Sequence, residues 1–227
     1  FVERYCGKTD VAQWASGKMT KAEAKQIIDR ANANRTKLIK ENIATYSTRS
    51  ARLKTEIYGP KGIKEEFSKV WPSTLGKEIY ITRETVNKGQ ANEQRIIKIK
   101  FGDTEIVAGG DSTKTVKMLV KNGDKVEEKE FKESEIIARF QPLASHILPI
   151  LRMIIGEEKV GNPVANFREN ASRAMDALSL LLGRPVDKID TNILLEMLPR
   201  VEKWYQAKIQ ECGSEITKLN GMLSHKS

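Results

Sequence analysis

The sequence predicts a mainly helical α+β fold: a long N-terminal helix, a central antiparallel β-meander of four or five strands, and a C-terminal helical bundle. Three observations carry this. Residues 21–58 lack Pro and Gly and space apolar side chains by alternating fours and threes. Residues 78–131 alternate apolar and polar side chains in short runs between turn residues. From residue 133 the helical period returns, punctuated by Gly and Pro.

The first element opens on Thr20 with Glu23 three residues on, the pattern of a capping box. Gly59 followed by Pro60 stops it, so one helix is expected over about 21–58, with Asn32–Asn34 the place for a break. Ile39, Ile43, Tyr46, Ser50, Leu53 and Ile57 form a seam-like stripe along it. Residues 1–16 suit a short helix or arm.

The β-rich block follows. Residues 78–84 favour a strand by their β-branched and aromatic content. Residues 85–93 read as a loop, and residues 95–101 alternate, with Ile97, Ile99 and Phe101 on one face and Lys98 and Lys100 on the other. Gly102 and Asp103 suit a tight turn into a strand over 104–108. Residues 115–121 alternate again, with Val116, Met118 and Val120 inward, and Asn122–Gly123 signals a hairpin returning through 125–131, with Lys121 facing Asp124 or its neighbours across the turn.

In the last block, residues 135–140 lead into a segment from His146 to Ile155 that is apolar nearly all round, the expected buried helix. An amphipathic helix is expected over 164–182, carrying Phe167, Ala171, Met175, Leu178 and Leu182, and stopped by Gly183 and Pro185. Asp190 or Thr191 caps a final helix, with Pro199 as a possible break. Val201, Tyr205, Ile209, Cys212, Ile216, Leu219 and Leu223 continue a stripe to its end. Both end helices thus carry seams, compatible with pairing inside one molecule or between copies. The blocks divide the chain as 1–58, a basic helical segment or arm; 59–131, β-rich; and 132–227, a helical core.

Charge is unevenly placed. The 227 residues carry a net +9, and residues 1–58 hold 12 basic and 6 acidic side chains, while 59–131 hold 14 and 12 and 132–227 hold 13 and 12. Such a basic end is a footprint for nucleic acid or an anionic surface. Arg35, Lys37, Lys40, Arg49, Arg52 and Lys54 fall within twenty residues beside one acid, Glu41. At about 100° per residue they wrap the helix rather than form one ridge, with Arg35 and Lys54 close to the apolar stripe.

Catalytic and metal motifs are not evident. His146 opens an apolar segment and reads as a core or cap histidine, and His225 lies near the end. Cys6 and Cys212 form no CxxC, which favours a reducing, intracellular setting. The first residues carry no signal-peptide pattern, and the chain begins with Phe1, as a processed product or fragment does. Gly7-Lys8-Thr9 lacks the earlier glycine of a phosphate-binding loop. Residues 108–114 suit a connection between strands better than an anion nest. The sequons at Asn34 and Asn170 fall in expected helices. Longer apolar runs stop well short of a membrane span.

The expectation is therefore a non-enzymatic, cofactor-free structural protein, cytoplasmic or in a virion. It would bind single-stranded RNA or DNA by its backbone and assemble in the manner of a nucleocapsid or coat protein. The six basic residues above would make the main phosphate contacts, and Lys98, Lys100 and Lys117 a second surface. Ile39, Ile43, Tyr46, Leu53, Ile57, Tyr205, Ile209 and Ile216 would support homo-oligomers. The alternative is a helical scaffold or adaptor without nucleic acid, and the third reading is an enzyme without a recognisable motif.

Overall fold

The computed structural model describes residues 1–75, 79–101, 104–107, 115–122 and 124–225. It is α+β and mainly helical, and it divides into two compact units. One joins residues 1–56 to 205–227; the other spans 57–204. The three sequence blocks followed composition along the chain, whereas the first unit brings residues from both chain ends together.

The first unit is built on α3 (Lys21–Tyr58) and α10 (Thr191–Ser224), taking α3 up to Glu56 and α10 from Tyr205. The capping box forms: the Thr20 N–H donates to Glu23 Oε2 at 2.7 Å and the Glu23 N–H to Thr20 Oγ1 at 3.2 Å. These bonds satisfy N–H groups that the helix itself leaves open. The helix runs unbroken through Asn32–Asn34, and Asn34 donates from its side chain to the Tyr5 carbonyl at 2.8 Å. That bond ties α3 to α1 (Val2–Tyr5), while Arg30 and Asp10 tie it to α2 (Lys8–Ser16) at 2.6 Å.

Three contacts fix the pairing of α3 with α10 as antiparallel. Arg35 reaches the Met222 carbonyl at 3.0 Å, Tyr46 and Arg49 share a groove with Cys212, and Glu56 meets Tyr205 at 3.2 Å. Ile27, Ala31, Ile39, Leu53, Tyr205, Cys212 and Leu219 are buried. The two stripes read from the sequence are therefore the two sides of one intramolecular seam, held mainly by the removal of apolar surface from water.

In the second unit, α4 (Ile63–Glu65), a π-helical turn (Glu66–Val70) and α5 (Trp71–Leu75) lead into the sheet. β1 (Ile79–Val86), β2 (Gln94–Phe101) and β3 (Thr104–Val107) form an antiparallel meander. Ile81, Ile97 and Ile99 are buried, as the alternation requires. The fourth strand is not the next in sequence. Among the described residues β4 (Thr115–Asn122) and β5 (Lys125–Lys132) pair only with each other, and β6 (Lys188–Ile189) completes the sheet on β1 in the order β3-β2-β1-β6. Lys121 pairs with Val126, two residues beyond Asp124, and Asn122 lies within β4 opposite Lys125. The turn at Gly102 and Asp103, residue Gly123 and the inward side chains expected at Val116, Met118, Val120 and Phe101 lie outside the described residues and side chains.

α6 (Glu133–Ala138) is capped by Glu135, whose carboxylate accepts the Lys132 N–H at 2.9 Å. The expected apolar helix splits into a π-helical turn (Leu143–Ile147) and α7 (Leu148–Ile155), with Leu148 and Leu151 buried. α8 (Glu157–Val160) is short, and α9 (Phe167–Leu182) begins after Asn166, which accepts the Glu169 N–H. The buried Asn170 exchanges two hydrogen bonds with the backbone of Val164, at 2.6 and 2.9 Å. Asp190 caps α10, accepting the Ile193 N–H at 2.9 Å, and the helix continues through Pro199. Proline there leaves the Leu195 carbonyl without its helical donor.

Candidate nucleic-acid interface

The six basic residues of the 35–54 run of α3 separate into two groups. Arg35 stands at the seam, and its guanidinium donates to the Met222 carbonyl near the end of α10. Carbonyls in a last helical turn lack internal donors and face the negative end of the helix dipole, so a cation there caps them. Arg52 lies 3.5 Å from Glu56, and Lys37 lies 4.0 Å from Glu41. Glu56 also accepts from the Tyr205 hydroxyl, and burial together with that carboxylate pushes the phenol far above its ordinary pKa.

Lys40, Arg49 and Lys54 are exposed, and among the described residues none has an acidic partner within ion-pair distance. Lys40 and Lys54 fall within roughly 40° of each other on the helix, on one flank of the seam. Lys25 belongs to the same flank, is exposed, and likewise lacks an acidic partner among the described residues. Lys25 lies outside the dense basic run of 35–54, and the helical period over the whole of α3 is the sequence signal that places it beside Lys40 and Lys54. Asp29 is the acidic residue of α3 on that flank. Arg49 lies on the other flank, in a groove of about 650 Å³ that also holds Glu211 and Glu215.

The lysines of the sheets are already matched. Lys98 sits 2.9 Å from Glu84 and 3.3 Å from Glu105, and Lys100 sits 3.5 Å from Glu105 with its ammonium over the Tyr80 ring. Lys117 lies 3.2 Å from Glu128 and 3.8 Å from Glu130. Hydrogen bonds from Lys98 to Glu84 and Glu105 raise its pKa, Tyr80 and then Glu105 raise that of Lys100, and Glu128 raises that of Lys117. All three stay charged, yet each charge is met by carboxylates alongside. The reason is register: β2 sets Lys98 and Lys100 opposite Val107 and Glu105 of β3, and β5 sets Glu130 opposite Lys117.

The eight seam residues are placed inside the chain. Ile39, Leu53, Ile57 and Tyr205 are buried, and Ile43, Tyr46, Ile209 and Ile216 are half-buried. His146 is not a core residue, since its side chain is 49% exposed, 3.9 Å from Glu66 and beside Trp71. Cys212 is buried and Cys6 half-buried, and both are free thiols. Among the described residues no group of three His, Cys, Asp or Glu side chains could hold a metal ion. No described helix is long and apolar enough to cross a membrane. Residues 108–114, weighed as an anion nest, lie outside the described residues.

Charge follows the units more sharply than the sequence blocks. The first unit holds 15 basic and 8 acidic residues, a net of +7, and the second 24 and 22, a net of +2. Comparisons with family models, with curated proteins and with solved structures found no match to this chain.

Proposed function

We propose that this protein binds the phosphate backbone of single-stranded nucleic acid without reading its sequence. Copies bound side by side along one strand would then form a nucleocapsid- or coat-like assembly. The observation that carries this reading is the concentration of +7 on the helical unit, with Lys25, Lys40 and Lys54 on one flank and Arg49 on the other. From Lys25 to Lys54 the helix rises about 43 Å, long enough to meet several successive phosphates. Backbone recognition needs no more than such cations near a groove, and it releases counterions as it forms. The reading assigns the protein no catalytic role and no cofactor.

The second reading, a helical scaffold or adaptor without nucleic acid, rests on the same stripe, of which Ile43, Tyr46, Ile209 and Ile216 stay half-buried. The nucleic-acid reading is tested on purified protein by the absorbance ratio at 260 and 280 nm, then by light scattering before and after nuclease and high salt. A high ratio and a large, nuclease-sensitive mass are expected. A clean protein spectrum, with oligonucleotide binding that ignores salt, would falsify it.

A further inference from the structure

We infer that the second unit carries a site for a dianionic phosphate group, taken as a phosphomonoester or as free phosphate, in the groove where α9 crosses β1 and β2. The groove has a volume of about 330 Å³ and is lined by Arg83, Arg95, Arg168, Ser172 and the buried Ile97. Its arginines come from three elements. Arg83 lies on β1 directly opposite Ile97 of β2, Arg95 lies two residues before Ile97, and Arg168 lies in the first turn of α9. Arg168 donates to the Arg95 carbonyl and so fixes the helix against the strand.

The charge count selects the ligand. Arg83 is held by Asp176 at 2.5 Å and reaches Ser172 Oγ at 3.5 Å. Glu169, which also lines the groove, is held by Arg173. Arg95 and Arg168 have no acidic partner among the described residues, so the groove keeps two uncompensated guanidinium groups. A phosphomonoester carries roughly −1.5 to −2 near neutral pH, which matches two such charges, whereas a carboxylate or a phosphodiester carries one. Guanidinium forks also fit phosphate oxygens two at a time, and an ammonium group does not. A groove of this size holds the phosphate and a small part of its carrier.

The site does not rest on the backbone-binding reading of the first unit. It is tested by titration calorimetry of the full chain with inorganic phosphate, a nucleoside 5′-monophosphate, the bare nucleoside and sulfate. Saturable binding of phosphate and monophosphate is expected, with none of the nucleoside. Tighter binding of the monophosphate would identify a nucleotide as the source, and equal binding free phosphate. Lowering the pH from about 7.5 to 5.5 should weaken the monophosphate several-fold as its second proton returns, near pH 6. Sulfate, which does not titrate there, reports any change in the groups around the groove, Arg83, Arg95, Arg168, Arg173, Glu169 and Asp176. The double variant R95A/R168A should bind phosphate at least tenfold more weakly, and R168K should fall between; R95A alone keeps the backbone carbonyl that Arg168 bonds and should weaken binding with an unchanged melting temperature. Exposure of Arg95 and Arg168 makes a folding failure of these variants unexpected. K40A/R49A/K54A should leave phosphate binding intact while weakening oligonucleotide binding, so the two readings fail separately. Wild-type protein without saturable phosphate binding at millimolar concentrations, or a double variant of unchanged affinity, would overturn the site.

Discussion

Arg35 and Lys40 lie five residues apart on α3 and meet opposite surroundings. Arg35 turns inward to the Met222 carbonyl, whereas Lys40 stays in solvent without an acidic partner among the described residues. Arg35→Ala should therefore cost about 1–2 kcal/mol of stability, read by chemical denaturation, because it removes a charge-assisted bond at a helix end. Its effect on nucleic-acid affinity should come only through that loss. Lys40→Ala should leave stability within about 0.5 kcal/mol. It should lower the salt slope of oligonucleotide binding by roughly 0.7, the share of one phosphate contact on a single strand. Lys98→Ala and Lys117→Ala should change that slope little, since Glu84, Glu105, Glu128 and Glu130 already answer their charge. Fluorescence anisotropy across a salt series reads all three. An equal drop for Lys98→Ala would place the contacts on the sheet instead.

α3 and α10 hold each other through a narrow stripe, so a charge placed in it acts on both. Leu53→Asp should destabilise the helical unit by about 3 kcal/mol or more, from lost burial and an unpaired buried carboxylate. Circular dichroism during urea unfolding would show it as an earlier loss of helix. The arm at residues 1–16 is fastened differently. Arg30 holds the Asp10 carboxyl below its ordinary pKa. The stabilisation from that pair is present above the unfolded value, about 3.9, and is lost as the pH falls through the lower folded value. Asp10→Asn should loosen the arm already at pH 7, seen as faster trypsin cleavage at Lys18, and a rate equal to wild type would count against the pair. Much at this scale was legible in the sequence. Thr20 and Glu23 marked the start of α3 and Gly59 its end, because capping and chain stops are local chemistry. β6 was not legible, since two residues carry no period and only the register of Ile189 with Ile81 makes them a strand. The separation of β4 and β5 from the sheet was hidden for the same reason: alternation shows that a strand pairs, and not with which neighbour. At Pro199 the local rule allowed a break, and buried Leu194, Met197 and Val201 on either side outweigh it.

Across the whole molecule the net charge is split +7 and +2 between the units. The basic first quarter was legible as composition, but the ion pairs that neutralise the sheet lysines arise only when strands align. If three or four of the cations Lys25, Lys40, Arg49 and Lys54 meet phosphates, oligonucleotide affinity should fall roughly 20- to 50-fold between 50 and 200 mM salt. A fall of several thousand-fold would mean that about twice as many phosphates are met. The antiparallel pairing has a consequence in time. The 148 residues of 57–204 stand between Glu56 and its partner Tyr205. During synthesis α3 leaves the ribosome about 7–30 s before the far side of its seam exists. A chain ending at Trp204 holds α3 in that unfinished condition, and trypsin should open it at Lys40, Arg49 and Lys54, bonds that the chain of 227 residues protects. Until the last turns of α10 arrive, the nascent helix leaves its apolar stripe uncovered, so the chain must complete its synthesis before the seam can close.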